Sequence, residues 1–452
     1  MAEERKVSAL LLVVVALVGM TAIAVGETSD PASSSAPPSS SFFSYSDFAH
    51  RKYFLGDWGG ERTKLEERGI VFDFHYVNDL DANVKGGREK EAGWNRVRGT
   101  MDLDFARMFP NWTFLKGLTL HVTGLWQAGV NLGGGTSPYT GELYFGSIAN
   151  PSGLVSKNTT RLDSFWLQES LFNGKLVIRA GQFAGMDFYG VSPVGKYYRI
   201  EPLDYAFGNL FTTYESYDPA SGPAAEIKIA PIKHFYYRTA ITSGNHNPYG
   251  DDPNGFHYVA KNKGVWLNEV GITVGETANP GKKQYPGLYK VGSSFNPDYF
   301  LNPVTQEMQH KNYLVYFMAD QAVYRHQVGS DRGLDLHFAV DFAPQDYNRI
   351  DRQLMGGMIY HGPIPQRRND SVAWGIVYSH VSDNFNTYYS SPAGREAGYV
   401  PLGTEKAFEV NYLAQVTPWL VVQPLGQIYQ DIGANPRRGT GVIVGLSTKV
   451  TF

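Results

Sequence analysis

The chain has 452 residues, with 40 Lys and Arg against 43 Asp and Glu, 49 Gly, 29 Tyr, 26 Phe and no Cys. A net charge of -3 argues against a nucleic-acid partner, which calls for a basic patch. The lack of Cys excludes disulfides, thiolate nucleophiles and Cys-ligated zinc, and suits a chain that crosses an oxidising compartment unfolded.

The first residues read as an export signal. Arg5 and Lys6 precede an apolar run over residues 7–25, which ends on the small residues Ala22 and Ala24. The competing reading is a single membrane anchor, because the run is nearly long enough to span a bilayer. We assign residues 1–26 to a cleaved signal, residues 27–54 to a disordered Ser/Pro-rich leader, and residues 55–452 to one folded unit. The tract over residues 31–41 is too polar to bury a core. No later stretch approaches the length of a transmembrane helix, and no linker divides the rest of the chain.

Gly56, Asp57, Trp58, Gly59 and Gly60 form a tight turn that leads into a short predicted helix. Gly69 closes that helix, since glycine takes the left-handed conformation of a helix C-terminus. Asp57 caps or orients the turn. The string does not read as a phosphate-binding loop, because no strand precedes it and no Gly-Lys-Ser/Thr follows.

From Ile70 the period becomes two. Phe72, Phe74 and Tyr76 alternate with Asp73, His75 and Val77; Leu334, Leu336, Phe338, Val340 and Phe342 alternate with Asp335, His337, Ala339 and Asp341. The same alternation recurs around Met101, Leu120, Trp374 and Val410. It predicts strands wetted on one side. In a soluble sandwich the aromatics would be enclosed in a core. Here they recur on the greasy face of strand after strand, which favours contact with lipid. Long polar or Gly/Pro-rich connections over residues 133–139, 243–255, 279–297 and 390–403 are the expected loops. The closing strand sets Val442, Val444, Leu446, Val450 and Phe452 on one face, and Ser447, Lys449 and Thr451 on the other. The fold class is therefore all-β, a transmembrane antiparallel β-barrel.

Parity names the candidate pore-lining residues. Around Met101 they are Arg96, Arg98, Asp102 and Asp104, in which arginines oppose carboxylates and supply fixed hydrogen-bond donors and a transverse field. Elsewhere the same parity selects Asp73, His75, Glu226, Lys228, Arg238, Glu269, Asp335, Asp341, Glu409, Asn411, Gln423, Gln427 and Lys449. Glu169 and Arg179 complete the set. Glu169 shares parity with Phe165 and Leu167, so a bulge or a reversed parity is needed to turn it inward. Trp126, Trp166 and Trp266 read first as interfacial girdle residues and second as stacking platforms in the lumen.

Several strings together resemble the carbohydrate-selective porins of Gram-negative outer membranes, the OprB-like family. They are Gly56-Asp57-Trp58-Gly59-Gly60 with Arg62, Leu65, Gly69 and Ile70; Asn83 with Gly86-Gly87; Gly181-Gln182 with Asp187-Phe188; and Thr417-Pro418-Trp419 through Gln423, Pro424 and Gln427 to Phe452. The resemblance implies about sixteen strands, a short N-terminal helix, and passive diffusion of mono- and small oligosaccharides. It also implies outer-membrane lipids as surroundings and assembly machinery that reads the terminal Phe452, with the barrel a monomer or a trimer. A general diffusion porin and a secreted β-rich sugar-binding protein are the alternatives. No Gly-x-Ser-x-Gly or His-Glu-x-x-His occurs, so neither an enzyme nor any metal or cofactor is expected.

Overall fold

The computed structural model describes residues 45–86, 91–130, 146–154, 157–204, 217, 219–275 and 281–452. The export signal, the leader up to residue 44, Gly87 and the connection over residues 133–139 lie outside the described residues. Sixteen antiparallel strands close into one barrel. They are β1 (Ile70–Lys85), β2 (Glu91–Asp104), β3 (Leu118–Val130), β4 (Thr159–Leu171), β5 (Leu176–Phe183), β6 (Gly222–Ile229), β7 (Phe235–Thr242) and β8 (Val265–Val274). Then follow β9 (Gly287–Leu301), β10 (Met308–Arg325), β11 (Gly333–Phe342), β12 (Ile350–His361), β13 (Ser371–Val381), β14 (Thr404–Thr417), β15 (Leu420–Gln430) and β16 (Thr440–Thr451). Each strand pairs with its neighbours in sequence, and β1 closes on β16 with Tyr76 opposite Val450 and Leu80 opposite Leu446. Closure removes every sheet edge, which a barrel in lipid requires because no water is there to satisfy open N–H and C=O groups.

The outer face is apolar. Val97, Trp126, Leu167, Trp266, Phe317, Phe338, Trp374 and Val444 are each at least 36% exposed. Apolar surface on this scale costs about 25 cal/mol per Å² in water. In lipid that cost disappears, and the alternation of every strand gains its reason. Trp126 and Trp266 both lie on this outer face, the girdle side of the two readings.

The inner face is only partly wet. Leu314, Met318, Met355, Ile359, Val377 and Ile443 occupy inward strand positions and are fully buried. They pack against Ala149, Met186, Val194, Tyr198, Ile200 and Leu203, which come from residues 146–154 and 184–204 folded into the barrel. Two inner glycines leave room for this: a Cβ on Gly357 would meet the Tyr198 hydroxyl at 2.1 Å, and one on Gly375 would meet Leu203 Cδ1 at 2.4 Å.

The N-terminal turn forms as its residues suggest. A 3-10 turn, Trp58–Gly60, leads into the helix Glu61–Glu67, and Asp57 Oδ1 accepts the backbone N–H of Thr63 at 3.0 Å. Gly69 follows with φ 88°, and a Cβ there would meet Asp104 O at 2.7 Å. Two expectations change. Residues 46–54, expected in the leader, pack on the barrel: Phe48 and Phe54 sit edge-on around Trp419, both with ring centroids 5.0 Å from it, and Trp419 Nε1 donates to Phe48 O at 3.0 Å. Residues 279–297, expected as a loop, run into β9, where Lys290, Gly292, Ser294 and Asn296 alternate inward against Val291 and Phe295. Its Gly, Ser and Pro content hid the strand.

Candidate permeation pathway

The segment over residues 184–204 decides the shape of the interior. Glu409 of β14 accepts the backbone N–H of Arg199 at 2.9 Å and of Ile200 at 2.7 Å. Asn411 donates to Glu409 at 2.6 Å and to Tyr197 O at 2.8 Å. Gln427 donates to Glu409 at 3.1 Å and to Pro151 O at 2.8 Å, and Gln423 donates to Tyr197 O at 2.9 Å. These four residues face inward, as parity requires, but what they touch is the backbone of the inward segments. Glu405 takes the N–H groups of Ile148, Ala149 and Gly433 in the same way, and Glu269 takes that of Gly190 at 2.7 Å. Ser192 donates to Asp320 at 2.9 Å, and Asp320 pairs with His337 at 2.7 Å. A carboxylate bonded to peptide N–H groups is a strong, charge-assisted anchor.

Anchored on this side, the segment brings Lys196 and Arg199 towards β16, β1 and β2. Lys449, exposed on β16, lies within electrostatic reach of Asp73, Arg199, Lys196 and Arg98. Arg98 pairs with Asp163 at 3.1 Å and keeps 22% of its side chain exposed. Arg96, 4% exposed, donates to Gln127 at 2.9 Å. The space bounded by Lys196, Arg199, Arg98, Asp73 and Lys449 is thus lined by donors, with one carboxylate, Asp73, among them. At the end of the inward segment Glu201 is buried and Asp204 half-buried, and desolvation pushes both carboxyls up to about 7. For Glu201 the Asn150 amide opposes that rise, and for Asp204 the Arg199 guanidinium does.

A second cluster lies on β3 to β8. The ring of His121 stacks on Trp166 at 4.4 Å and 8°, and His121 Nδ1 contacts Asp102 at 2.7 Å. Arg179 bonds Glu226 at 2.9 Å and Gln168 at 2.6 Å, with its guanidinium 4.6 Å from the Trp166 ring and 3.8 Å from that of Phe188. Arg238 donates to Phe188 O at 2.5 Å and lies 3.8 Å from Glu269. Trp166 therefore stands inside with Arg179, against the girdle reading that the other two tryptophans follow.

Two expected pore-lining residues are corrected. Asp104 sits at the strand end and caps the helix Phe105–Met108, accepting from Ala106 N at 3.0 Å and Arg107 N at 3.3 Å. Glu169 keeps the parity of Leu167 and pairs with Ile178, both on the lipid side. The pairing of β3 with β4 does shift, but between Thr123 and Gly124, where Thr123 faces Ser164 and Gly124 faces Leu162. That bulge turns Arg161 and Asp163 inward above it and Trp166 and Gln168 inward below it. Glu169 stays outside near the strand end, where lipid contact costs least. Gln182 lends its amide to the carbonyls of Leu162 and Asp163, 3.3 Å away, which gives the Gly181-Gln182 string a structural part. Asp163, Lys196 and Arg199 escape parity altogether, the first because of the bulge and the others because they are not on a strand.

A closed barrel of sixteen antiparallel strands, apolar outside and carrying polar side chains on its inner face, is the fold of an outer-membrane porin. The chain belongs to the carbohydrate-selective porin, OprB family, whose description residues 113–452 match. It is 24% identical over 433 residues to Porin B of Pseudomonas aeruginosa, covering 89% of this chain and 91% of that protein. Its fold is similar to the high-pH structure of Pseudomonas putida OprB, with a TM-score of 0.78 at 20% identity over 89% of this chain and 99% of the other. The low-pH structure of that protein gives a TM-score of 0.55 at 17% identity, with the same coverage. This chain is a sugar-selective porin of the outer membrane, a channel rather than an enzyme.

Proposed function

We propose that sugars cross by passive diffusion between the inward segment, at Lys196, Tyr197 and Arg199, and the wall at Arg98, Asp73 and Lys449. The observation that carries this is the grip of Glu409 on the backbone of Arg199 and Ile200, which holds the segment across the interior. A sugar offers hydroxyls that accept and donate, and fixed guanidinium and ammonium donors replace its hydration shell. Arg96, Arg179, Arg238 and Asp102 support this wall through the partners described above. The His121–Trp166 stack supplies an aromatic surface for the C–H face of a ring. Binding stays weak enough for release, and no covalent step is involved.

The same reading has the chain exported by residues 1–26, surrounded by outer-membrane lipids, and inserted by assembly machinery that reads the strand ending at Phe452. It functions as a monomer or a trimer and performs no catalysis. The test is planar-bilayer conductance of the purified protein, with glucose competing against ion current, beside liposome swelling. Glucose is expected to block current at millimolar concentration and to permeate faster than amino acids of equal size. Equal rates for the two solutes would reduce the protein to a general diffusion porin.

A further inference from the structure

Arg161 stands on β4 beneath the connection from β7 to β8 and is 3% exposed. Among the described residues, no acceptor lies within hydrogen-bond reach of its Nε, Nη1 or Nη2. The carboxylate next along the same inward row, Asp163, is already engaged by Arg98 at 3.1 Å and by the Ser221 hydroxyl at 3.2 Å. What Arg161 does meet is the ring of Tyr249, 5.4 Å from its Cζ, and Lys157 Nζ stands 5.3 Å from that same ring. Guanidinium cannot shed its proton, and a buried charge without hydrogen bonds is costly. A buried guanidinium with no acceptor among the described residues has its fork open to an anion, and the planar fork of Arg matches a carboxylate.

The register extends this site along the wall. Arg161 lies opposite Leu125, which lies opposite Arg98, so the two guanidinium groups share one row across β4, β3 and β2. In the neighbouring row Lys449 lies opposite Val77, and Val77 opposite Arg96. The wall carboxylates on the other side, Glu405 and Glu409, are occupied by backbone N–H groups of the inward segments. These two acids thus hold the inward segments in place, while Arg161, Arg98 and Lys449 stand along the wall that also carries Asp73.

We propose that Arg161, with Lys157 and Tyr249, is a binding station for sugars that carry a carboxylate (aldonates or uronates), which hand on from it to Arg98 and Lys449. The carboxylate pairs with the guanidinium and the ammonium, and the tyrosine ring packs against the carbon chain or ring of the sugar. This rests on the reading of the chain as a sugar porin and names a solute class for it.

The experiment uses the whole protein in liposomes and planar bilayers, with glucose as neutral probe, gluconate as acidic probe, and acetate as a carboxylate without the sugar. Gluconate is expected to block ion current at about tenfold lower concentration than glucose, as a charge-assisted contact implies. R161Q should erase that advantage and leave glucose block within about twofold, and K157Q, at an exposed position, should weaken gluconate block in the same sense. Heat-modifiable migration on gels shows whether R161Q is folded; if it is not, the wild-type comparison and K157Q decide. Gluconate binding no better than glucose, or unmoved by K157Q and by folded R161Q, overturns the proposal. Acetate blocking as well as gluconate also overturns it, leaving only a simple anion site. Loss of glucose block and permeation in the wild type would instead remove the sugar-porin reading beneath it.

Discussion

Arg62 and Phe452, 390 residues apart, are joined directly: Arg62 Nη1 donates to the backbone oxygen of Phe452 at 2.7 Å. Nη2 of the same guanidinium donates to Phe72 O at 2.6 Å, and its Cζ lies 3.2 Å from the Tyr53 ring centroid. The N-terminal helix is thereby tied to both strands of the closing seam, since Phe452 N also donates to Phe74 O at 2.8 Å.

R62A should therefore loosen the seam. Arg62 is 1% exposed, and each hydrogen bond from a charged donor is worth about 1.5–3 kcal/mol. A loss of about 3 kcal/mol is expected, read as a lower urea midpoint in lipid vesicles and a lower temperature for the heat-modified band. R62K keeps the charge but not the two-pronged fork, and should recover less than half of the loss.

E409Q addresses the anchor of the inward segment. An amide in place of the carboxylate turns one acceptor oxygen into a donor facing the N–H groups of Arg199 and Ile200. The segment should loosen by about 2 kcal/mol. Single-channel conductance is expected to rise and become noisier, and the preference for glucose over amino acids of equal size to fall. Unchanged conductance in a folded E409Q barrel would mean the segment is held elsewhere.

The desolvated carboxyls of Glu201 and Asp204 give the segment a pH dependence. Both are pushed up to about 7 by burial, so the seated segment binds protons more tightly than the released one. Their contribution is fully present below the ordinary carboxylate range, near pH 4, and is lost as pH rises through about 7. Open-channel noise and excursions to higher conductance should increase from pH 5 to pH 8. E201Q, neutral throughout, should flatten part of that rise.

Glu169 offers the opposite case. Lying outside near the end of β4, it contributes nothing to the passage, and a carboxylate at that depth costs at most about 1 kcal/mol. E169L should leave conductance and sugar block as they are, with an unfolding midpoint equal to or slightly above that of the parent. A change in ion selectivity would place this carboxylate inside.

Much of the fold is legible in the chain because lipid and water impose one rule on every strand. Period-two alternation from Phe72 to Phe452 says which side chains meet hydrocarbon, and it selects Arg96, Arg98, Glu409, Asn411, Gln427 and Lys449 as inward residues. It fails where the pleat itself is broken. At the β3–β4 bulge the inward set changes phase, so Asp163 and Trp166 both turn in although they stand an odd three positions apart. No alternation within β4 alone reports that shift, because the extra residue is defined only against its partner strand.

By itself, then, the sequence determined a barrel with an apolar outside, the strand faces, the helix before Gly69 and the family. Only the tertiary structure decided what fills the inside. Alternation puts Ile443 and Val377 on the inner faces of their strands, and Glu409 reads as a pore-lining charge. Folded, they are the seat and the anchor of residues 184–204. The reason is physical: alternation records the solvent on the outer face, where lipid is uniform. The inner face meets water in one place and another part of the chain in the next, and that depends on contacts between residues some 200 positions apart, such as Ile200 and Glu409.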